Sequence, residues 1–174
     1  SRRGYQVAGV DRDANMVAQA QGRASQATFL QADARDLTFL ESGWDAALIM
    51  WASFGYFSEQ ENDAQLRELQ RLLRPGGRLI LDIYNYDFFI DRQGARAVQR
   101  NRLDILEHKQ IRSGRLFVEL NYPDGTVDRF NWQIFRPSEI TAVAARAGFS
   151  PVLLCSDFQE HIAPGSDQGR MQVV

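Results

Sequence analysis

The sequence is poor in the residues that most often carry chemistry. Its 174 residues include one cysteine, two histidines and a single lysine, Lys109. One cysteine excludes an intramolecular disulfide framework and fits a reducing compartment, so a cytoplasmic setting is expected. Cys155 ends the apolar run Val152-Leu153-Leu154-Cys155, which reads as a buried strand and not as a nucleophile's surroundings. His108 falls in an extended segment and His161 in a polar loop, so no cluster of metal ligands is formed and no metal is expected. No apolar run approaches the ~20 residues that cross a bilayer, and there is no signal-peptide pattern. The formal net charge is −2, and the arginines are scattered without a basic block. Neither a nucleic acid nor a membrane surface is therefore expected as a partner. The chain opens Ser1-Arg2-Arg3 without a methionine, so its natural start is expected upstream.

What is present is a regular alternation of apolar runs and amphipathic stretches. Tyr5–Val10 reads as a strand. Asp13 is placed to cap a helix to about Arg23, with Met16, Val17 and Ala20 on one face. Ala27–Leu30 is a short strand, and Trp44–Met50 is apolar enough to be covered on both faces. Ser58 and Glu61 form a Ser-x-x-Glu capping box. Leu66, Leu69, Leu72 and Leu73 follow at helical spacing until Pro75-Gly76-Gly77 stops the helix. Arg78–Tyr84 is the next strand. Alternating strands and helices with short links predict an α/β domain with a parallel sheet.

The pattern then changes. Three extended runs between about Leu103 and Phe135, parted by Ser113-Gly114 and Pro123-Asp124-Gly125, predict an antiparallel meander. A helix resumes at Pro137, with Ile140, Val143, Ala144 and Ala147 on one face and Gly148 closing it. Phe149–Ser156 and Gly169–Val174 read as a final pair of strands. The expected organisation is an α/β core over residues 1–90 and 136–174, interrupted by a meander at residues 91–135.

The segments VAGVDRDANM, LQADARDL, WDAALIMWASFGYF, LRELQRLLRPGGRLILDIYN and RFNWQIFRPSEITAVAARAGF resemble, in this order, the successive motifs of class I S-adenosylmethionine-dependent methyltransferases. The FGYF segment and the meander resemble a small-molecule subgroup with a β-rich lid. The resemblance implies a three-layer, Rossmann-like sheet of order 3-2-1-4-5-7-6 with its seventh strand antiparallel. Tyr5–Val10 then corresponds to the family's second strand. The first strand and its glycine-rich loop have no counterpart, which makes the sheet incomplete at the N-terminus. Residues upstream of Ser1 are the expected source of that strand; completion by another chain and a rearranged sheet are the alternatives.

By the same resemblance the cofactor is S-adenosylmethionine and the partner a small-molecule acceptor methylated on N, O or C. Asp11 would hold the ribose hydroxyls, since a carboxylate at a strand's C-terminal end matches a vicinal diol. Arg12 would lie along the adenine, with Asp33 and the backbone of Ala34 reading its edge. Met50 and Trp51 would line the methionine part. Phe54, Tyr56, Tyr84 and Asn85 would face the acceptor. Tyr56 and His161 are the candidates for a catalytic group, although direct displacement at a sulfonium methyl depends mainly on alignment and water exclusion. Two other readings stay open at this stage: a non-catalytic binding or assembly module, and a nicotinamide-dependent oxidoreductase. Pairing into a homodimer through an exposed edge or the meander also stays open.

Overall fold

A computed structural model describes residues 4–174. Strand β1 (Ala8–Asp11) leads into helix α1 (Ala14–Arg23) and strand β2 (Thr28–Gln31). Strand β3 (Trp44–Ile49), helix α2 (Glu59–Leu72) and strand β4 (Leu73–Tyr84) form the second such unit. A one-turn helix α3 (Tyr86–Phe89) precedes four strands, β5 (Gly94–Arg100), β6 (Leu103–Arg112), β7 (Arg115–Asn121) and β8 (Val127–Gln133). Helix α4 (Pro137–Arg146) and strands β9 (Leu154–Cys155) and β10 (Arg170–Val173) complete the chain.

Local signals set most of these bounds. The Asp13 carboxylate caps α1 by accepting from the amides of Asn15 and Met16. The Ser58–Glu61 box closes reciprocally at the start of α2. Leu66, Leu69 and Leu72 of α2 and Ile140 and Val143 of α4 pack on Leu79, Leu81 and Ile83 of β4, with Met171 and Val173 of β10. Each such side chain contributes roughly 1.5–3 kcal/mol when fully buried.

The core sheet runs β3-β4-β10-β9, with β3 and β4 parallel and β10 antiparallel to β4. β1 and β2 form a separate parallel pair. The orders β2-β1 and β3-β4-β10-β9 match the two parts of the expected family order on either side of its first strand, and no described strand takes that first-strand place. The surfaces beside that place are correspondingly bare. Leu48 of β3 is 59 % exposed, and α1 buries none of its residues. The pair is tied to the core through the segment after β2. Gln65 donates to the Ala34 carbonyl at 3.2 Å, and Arg71 donates to the carbonyls of Leu37 and Leu40 at 3.3 and 3.4 Å.

Several expectations need correction. β1 begins at Ala8, not Tyr5, and α1 has no buried face for Met16, which is half exposed. The Pro-Gly-Gly turn lies within the ladder: Trp44 pairs with Leu73 and Ala46 with Arg78, so residues 74–77 bulge out between them. The meander has four strands, because Gly94–Arg100 pairs antiparallel along β6. Its hairpin turn, Asn101-Arg102, lacks the glycine that marks the next turn, and both residues take positive φ. The strand expected at Phe149–Ser156 narrows to Leu154–Cys155.

The meander sheet β5-β6-β7-β8 has its own core of Ile105, Leu116, Val118, Leu120, Trp132 and Ile134, closed by Phe89. Within it Glu107, fully buried, pairs with Arg96 and Lys109 at 2.7 Å and with Arg100 at 3.0 Å.

Candidate active site

The C-terminal ends of β3 and β4 border a crevice, and the C-terminal ends of β1 and β2 carry Asp11 and the loop with Asp33. The loops after β2 and β3 meet at the start of α2, where Arg35 pairs with Glu61 at 2.7 Å. In open α/β sheets this strand edge is where ligands bind.

Asp11 is the last residue of β1 and is exposed. Its Oδ1 accepts the Asp13 amide at 2.9 Å. The other acceptor positions of the carboxylate are open to solvent, which fits a vicinal diol. Arg12 follows, exposed, its carbonyl accepting from Gln31 at 3.2 Å. Asp33 lies beyond the end of the neighbouring strand and is engaged by Arg35. Its Oδ1 accepts the Arg35 amide at 2.9 Å and Nε at 3.0 Å, and its Oδ2 accepts Nη2 at 2.6 Å. The side-chain hydrogen bond from Arg35 is the main reason the Asp33 pKa falls to about 2. Of roughly four acceptor sites on a carboxylate, three are used, so one remains to meet an amino group. Arg35 also stacks on Phe57, 4.7 Å from the ring centroid. Glu61 is likewise held near a pKa of about 2, first by the Ser58 hydroxyl and then by Arg35.

The crevice at the ends of β3 and β4 is aromatic. Trp51 is 75 % exposed at the end of β3. It lines a cavity of ≈ 390 Å³ with Tyr84, Phe89, Asp157, Gly169 and Arg170. Above it, Trp132 of β8 meets Tyr84 edge to face at 5.1 Å and Tyr56 at 5.2 Å. Burial raises the Tyr84 phenol pKa, with Tyr56 adding to the effect and Arg170 and Arg100 opposing it. A larger cavity, ≈ 530 Å³, lies beside the Pro-Gly-Gly bulge at the opposite end of β4, lined by Arg74, Gly77, Pro151 and Val152 among others. It lacks the convergent polar groups of the crevice and sits away from the strands' carboxyl ends.

The loop Ser53–Phe57 is held by the meander. Arg115 of β7 donates to the carbonyls of Gly55, Tyr56 and Phe57 at 3.2, 3.1 and 2.7 Å. The Gln133 amide donates to the Gly55 carbonyl at 2.7 Å. Gly55 has φ +100°, and a Cβ there would stand 2.5 Å from the Gln133 carbonyl oxygen. This close approach explains the glycine between two aromatics.

Not every residue singled out in the sequence reaches the crevice. Phe54 is 2 % exposed and stacks on Phe135 inside the core, so it is a packing residue. Asn85 is fully buried, accepts the Asp87 amide, and donates to the carbonyls of Gly165 and Gln168. It therefore shapes the neighbouring loop without facing the cavity. His161 is exposed and is not among the residues lining the cavity. Conversely, Arg170, Trp132, Arg115 and Asp82 were not anticipated as site residues. Asp82 carried the one available signal, a lone charge inside the apolar run Leu79–Tyr84. Among the described residues, no group of three or more His, Cys, Asp or Glu is placed to hold a metal. No described helix is long and apolar enough to cross a membrane.

The strand order and the inserted meander make a Rossmann-like α/β fold, which known methyltransferases share. Comparison with known proteins agrees. Residues 1–77 match the family described as "Methyltransferase domain". The chain is similar to a glycine/sarcosine N-methyltransferase of Aphanothece halophytica, 27 % identical over 167 residues, which cover 90 % of this chain and 63 % of that protein. The chain thus spans less than two thirds of that relative's length. In structure it is similar to the CcbJ methyltransferase of Streptomyces caelestis, with TM-score 0.82 and 15 % identity over 99 % of this chain and 74 % of that one. It is also similar to S-adenosylmethionine-bound CalS10, an amino pentose methyltransferase of Micromonospora echinaspora, with TM-score 0.71 and 18 % identity over 97 % and 73 % of the two chains.

Proposed function

We propose that the protein transfers a methyl group from S-adenosylmethionine to a small-molecule acceptor. The observation that carries this reading is the pairing of an open carboxylate, Asp11, with a second carboxylate at the adjacent strand end, Asp33, on the same strand edge as an aromatic cavity. The bound cofactor would supply an electrophilic methyl on a sulfonium. Asp11 would hold the ribose hydroxyls, and Asp33 with the Ala34 amide would meet the adenine edge beside the Arg12 stem. Met50 and Trp51 would line the methionine end. Trp51, Tyr56 and Tyr84 would present aromatic faces near the sulfonium, which such faces attract. The meander (residues 91–135) would act as a lid, set on the crevice by Trp132 and Arg115, and would exclude water from the reacting atoms. On this reading the α/β core comprises residues 1–90 and 136–174.

The bound cofactor would supply its methyl to an acceptor lone pair, the C–S bonding electrons leaving with the sulfur, and the crevice residues would align and shield the two. No strong general base is required, in keeping with the position of His161. Tyr56, exposed at the crevice, is the residue best placed to touch the acceptor or take part in proton transfer. A cytoplasmic setting belongs to the same reading, supported by the single, buried Cys155. The net charge of −2 supports a reading without a nucleic-acid partner.

The test is ligand-dependent stability. S-adenosylmethionine or S-adenosylhomocysteine, in excess over its Kd, should raise the melting temperature of the intact protein. A shift with NADH alone would favour an oxidoreductase. No shift with any of the three would favour a non-catalytic binding module.

A further inference from the structure

Seven non-glycine residues among those described have positive φ. Asn101, Arg102 and Ser113 close hairpins between paired strands of the lid, where ladder hydrogen bonds on both sides hold them. The other four are two consecutive pairs, Trp51-Ala52 (φ 60° and 55°) and Asp157-Phe158 (φ 53° and 57°). Such pairs are normally filled by Asn, Asp or Gly, because a Cβ is unfavourable there. Three of these four residues are Trp, Ala and Phe, so something must hold the backbone in place. Trp51 and Asp157 both line the ≈ 390 Å³ cavity.

Both pairs are anchored to one group. Asp82 is fully buried in β4. Its Oδ2 accepts the Trp51 amide at 3.0 Å and Arg170 Nη1 at 2.7 Å, and its Oδ1 accepts Gln172 Nε2 at 2.8 Å. Its backbone carbonyl accepts the Ala52 amide at 2.9 Å. Gln172 passes the connection on, its Oε1 accepting the Phe158 amide at 2.9 Å. Arg170 returns it, with its guanidinium carbon 4.7 Å from the centroid of a Trp51 ring. A buried carboxylate is stable only when so fully partnered. Left-handed backbone persists only where its surroundings enforce it, and it gathers at functional sites.

We propose that Asp82 is a positioning residue. Through Trp51, Arg170 and Gln172 its carboxylate fixes the two turns that wall the cavity, and so sets the space in which methyl donor and acceptor meet. This rests on the methyltransferase reading. Each turn is closed by one local backbone hydrogen bond, Ser53 to Met50 at 3.2 Å and Gln159 to Ser156 at 2.9 Å, without a strand ladder on both sides, and the Asp82 network adds to that support.

The experiment compares Asp82→Asn with Leu79→Ala in the full chain. Asp82→Asn keeps the shape but replaces one of the two acceptor oxygens, which together meet three donors, with an NH₂ group. Leu79→Ala lowers stability from the core, away from the cavity. Amide hydrogen exchange is read at a temperature where both variants stay folded. Exchange at residues 50–53 and 157–159 should quicken about tenfold or more in Asp82→Asn and not in Leu79→Ala. S-adenosylhomocysteine affinity should fall about tenfold or more in Asp82→Asn alone. Unchanged exchange at both turns, or equal effects from the two variants, overturns the proposal. Should Asp82→Asn fail to fold, Gln172→Met cuts only the second arm and should loosen residues 157–159; unchanged exchange there overturns it equally. Failure of the wild-type chain to bind S-adenosylhomocysteine would count against the functional reading, whereas the exchange comparison decides whether Asp82 holds the turns.

Discussion

Tyr84 and Trp132 meet edge to face at 5.1 Å. One ends strand β4 and the other belongs to β8, the last strand of the meander, so this contact joins the two sheets. Trp132 is 7 % exposed, and its indole N–H has no hydrogen-bond partner. It holds the meander by shape and ring contacts, not by its polar atom.

Trp132→Phe and Trp132→Ala should therefore behave very differently. The alanine variant should lose about 3–5 kcal/mol of stability. The phenylalanine variant should lose much less, since it keeps most of the ring contact and removes an unsatisfied donor. Urea unfolding of the two variants checks this. Equal losses would show that the N–H has a partner after all.

Asp11 should matter for binding and little for folding. Its side chain is exposed and makes one local contact. Asp11→Ala should change stability by about 0.5 kcal/mol or less. On the proposed function, S-adenosylhomocysteine affinity should fall by about tenfold or more, because two hydrogen bonds to a charged group would be lost. Calorimetric titration beside a melting curve separates the two effects.

The Asp33–Arg35–Glu61 cluster should give a weak acid sensitivity. Both carboxyls have folded-state pKa values near 2, below their unfolded values of about 3.9 and 4.3. A lowered folded pKa stabilises the fold above the unfolded value, and that contribution is lost as pH falls from about 4 toward about 2. The groups are open to solvent, so the effect is small and screened by salt. Carboxyl NMR titration should show the Asp33 pKa returning toward about 4 in Arg35→Met. No change in that variant would contradict the pairing.

Gly55→Ala should disrupt the loop between the strand end and α2. The new Cβ meets the Gln133 carbonyl oxygen at 2.5 Å in a left-handed backbone. The expected cost is about 1–3 kcal/mol. Quickened hydrogen exchange at residues 53–57 should accompany it, because Arg115 and Gln133 hold this loop by its carbonyls. A stable variant with full exchange protection would remove the steric explanation.

Short-range chemistry was legible in advance. The Asp13 cap, the Ser58–Glu61 box, the leucines of α2 and the proline that opens α4 each act within one or two helical turns, so the chain alone specifies them. The α/β alternation and the ordered motifs pointed to the fold, and the place of Asp11 at a strand's C-terminal end was legible because it depends only on that strand. The tertiary structure decided what depends on distant partners. It drew Phe54 and Asn85 inside, and it committed three of the acceptor sites of Asp33 to Arg35. It also brought Asp82, Arg170 and Gln172 together from strands about 90 residues apart. A lone aspartate in an apolar run reveals in sequence that a buried charge needs partners. Which partners it finds, and which backbone turns it thereby holds, is fixed only when β4 and β10 pair.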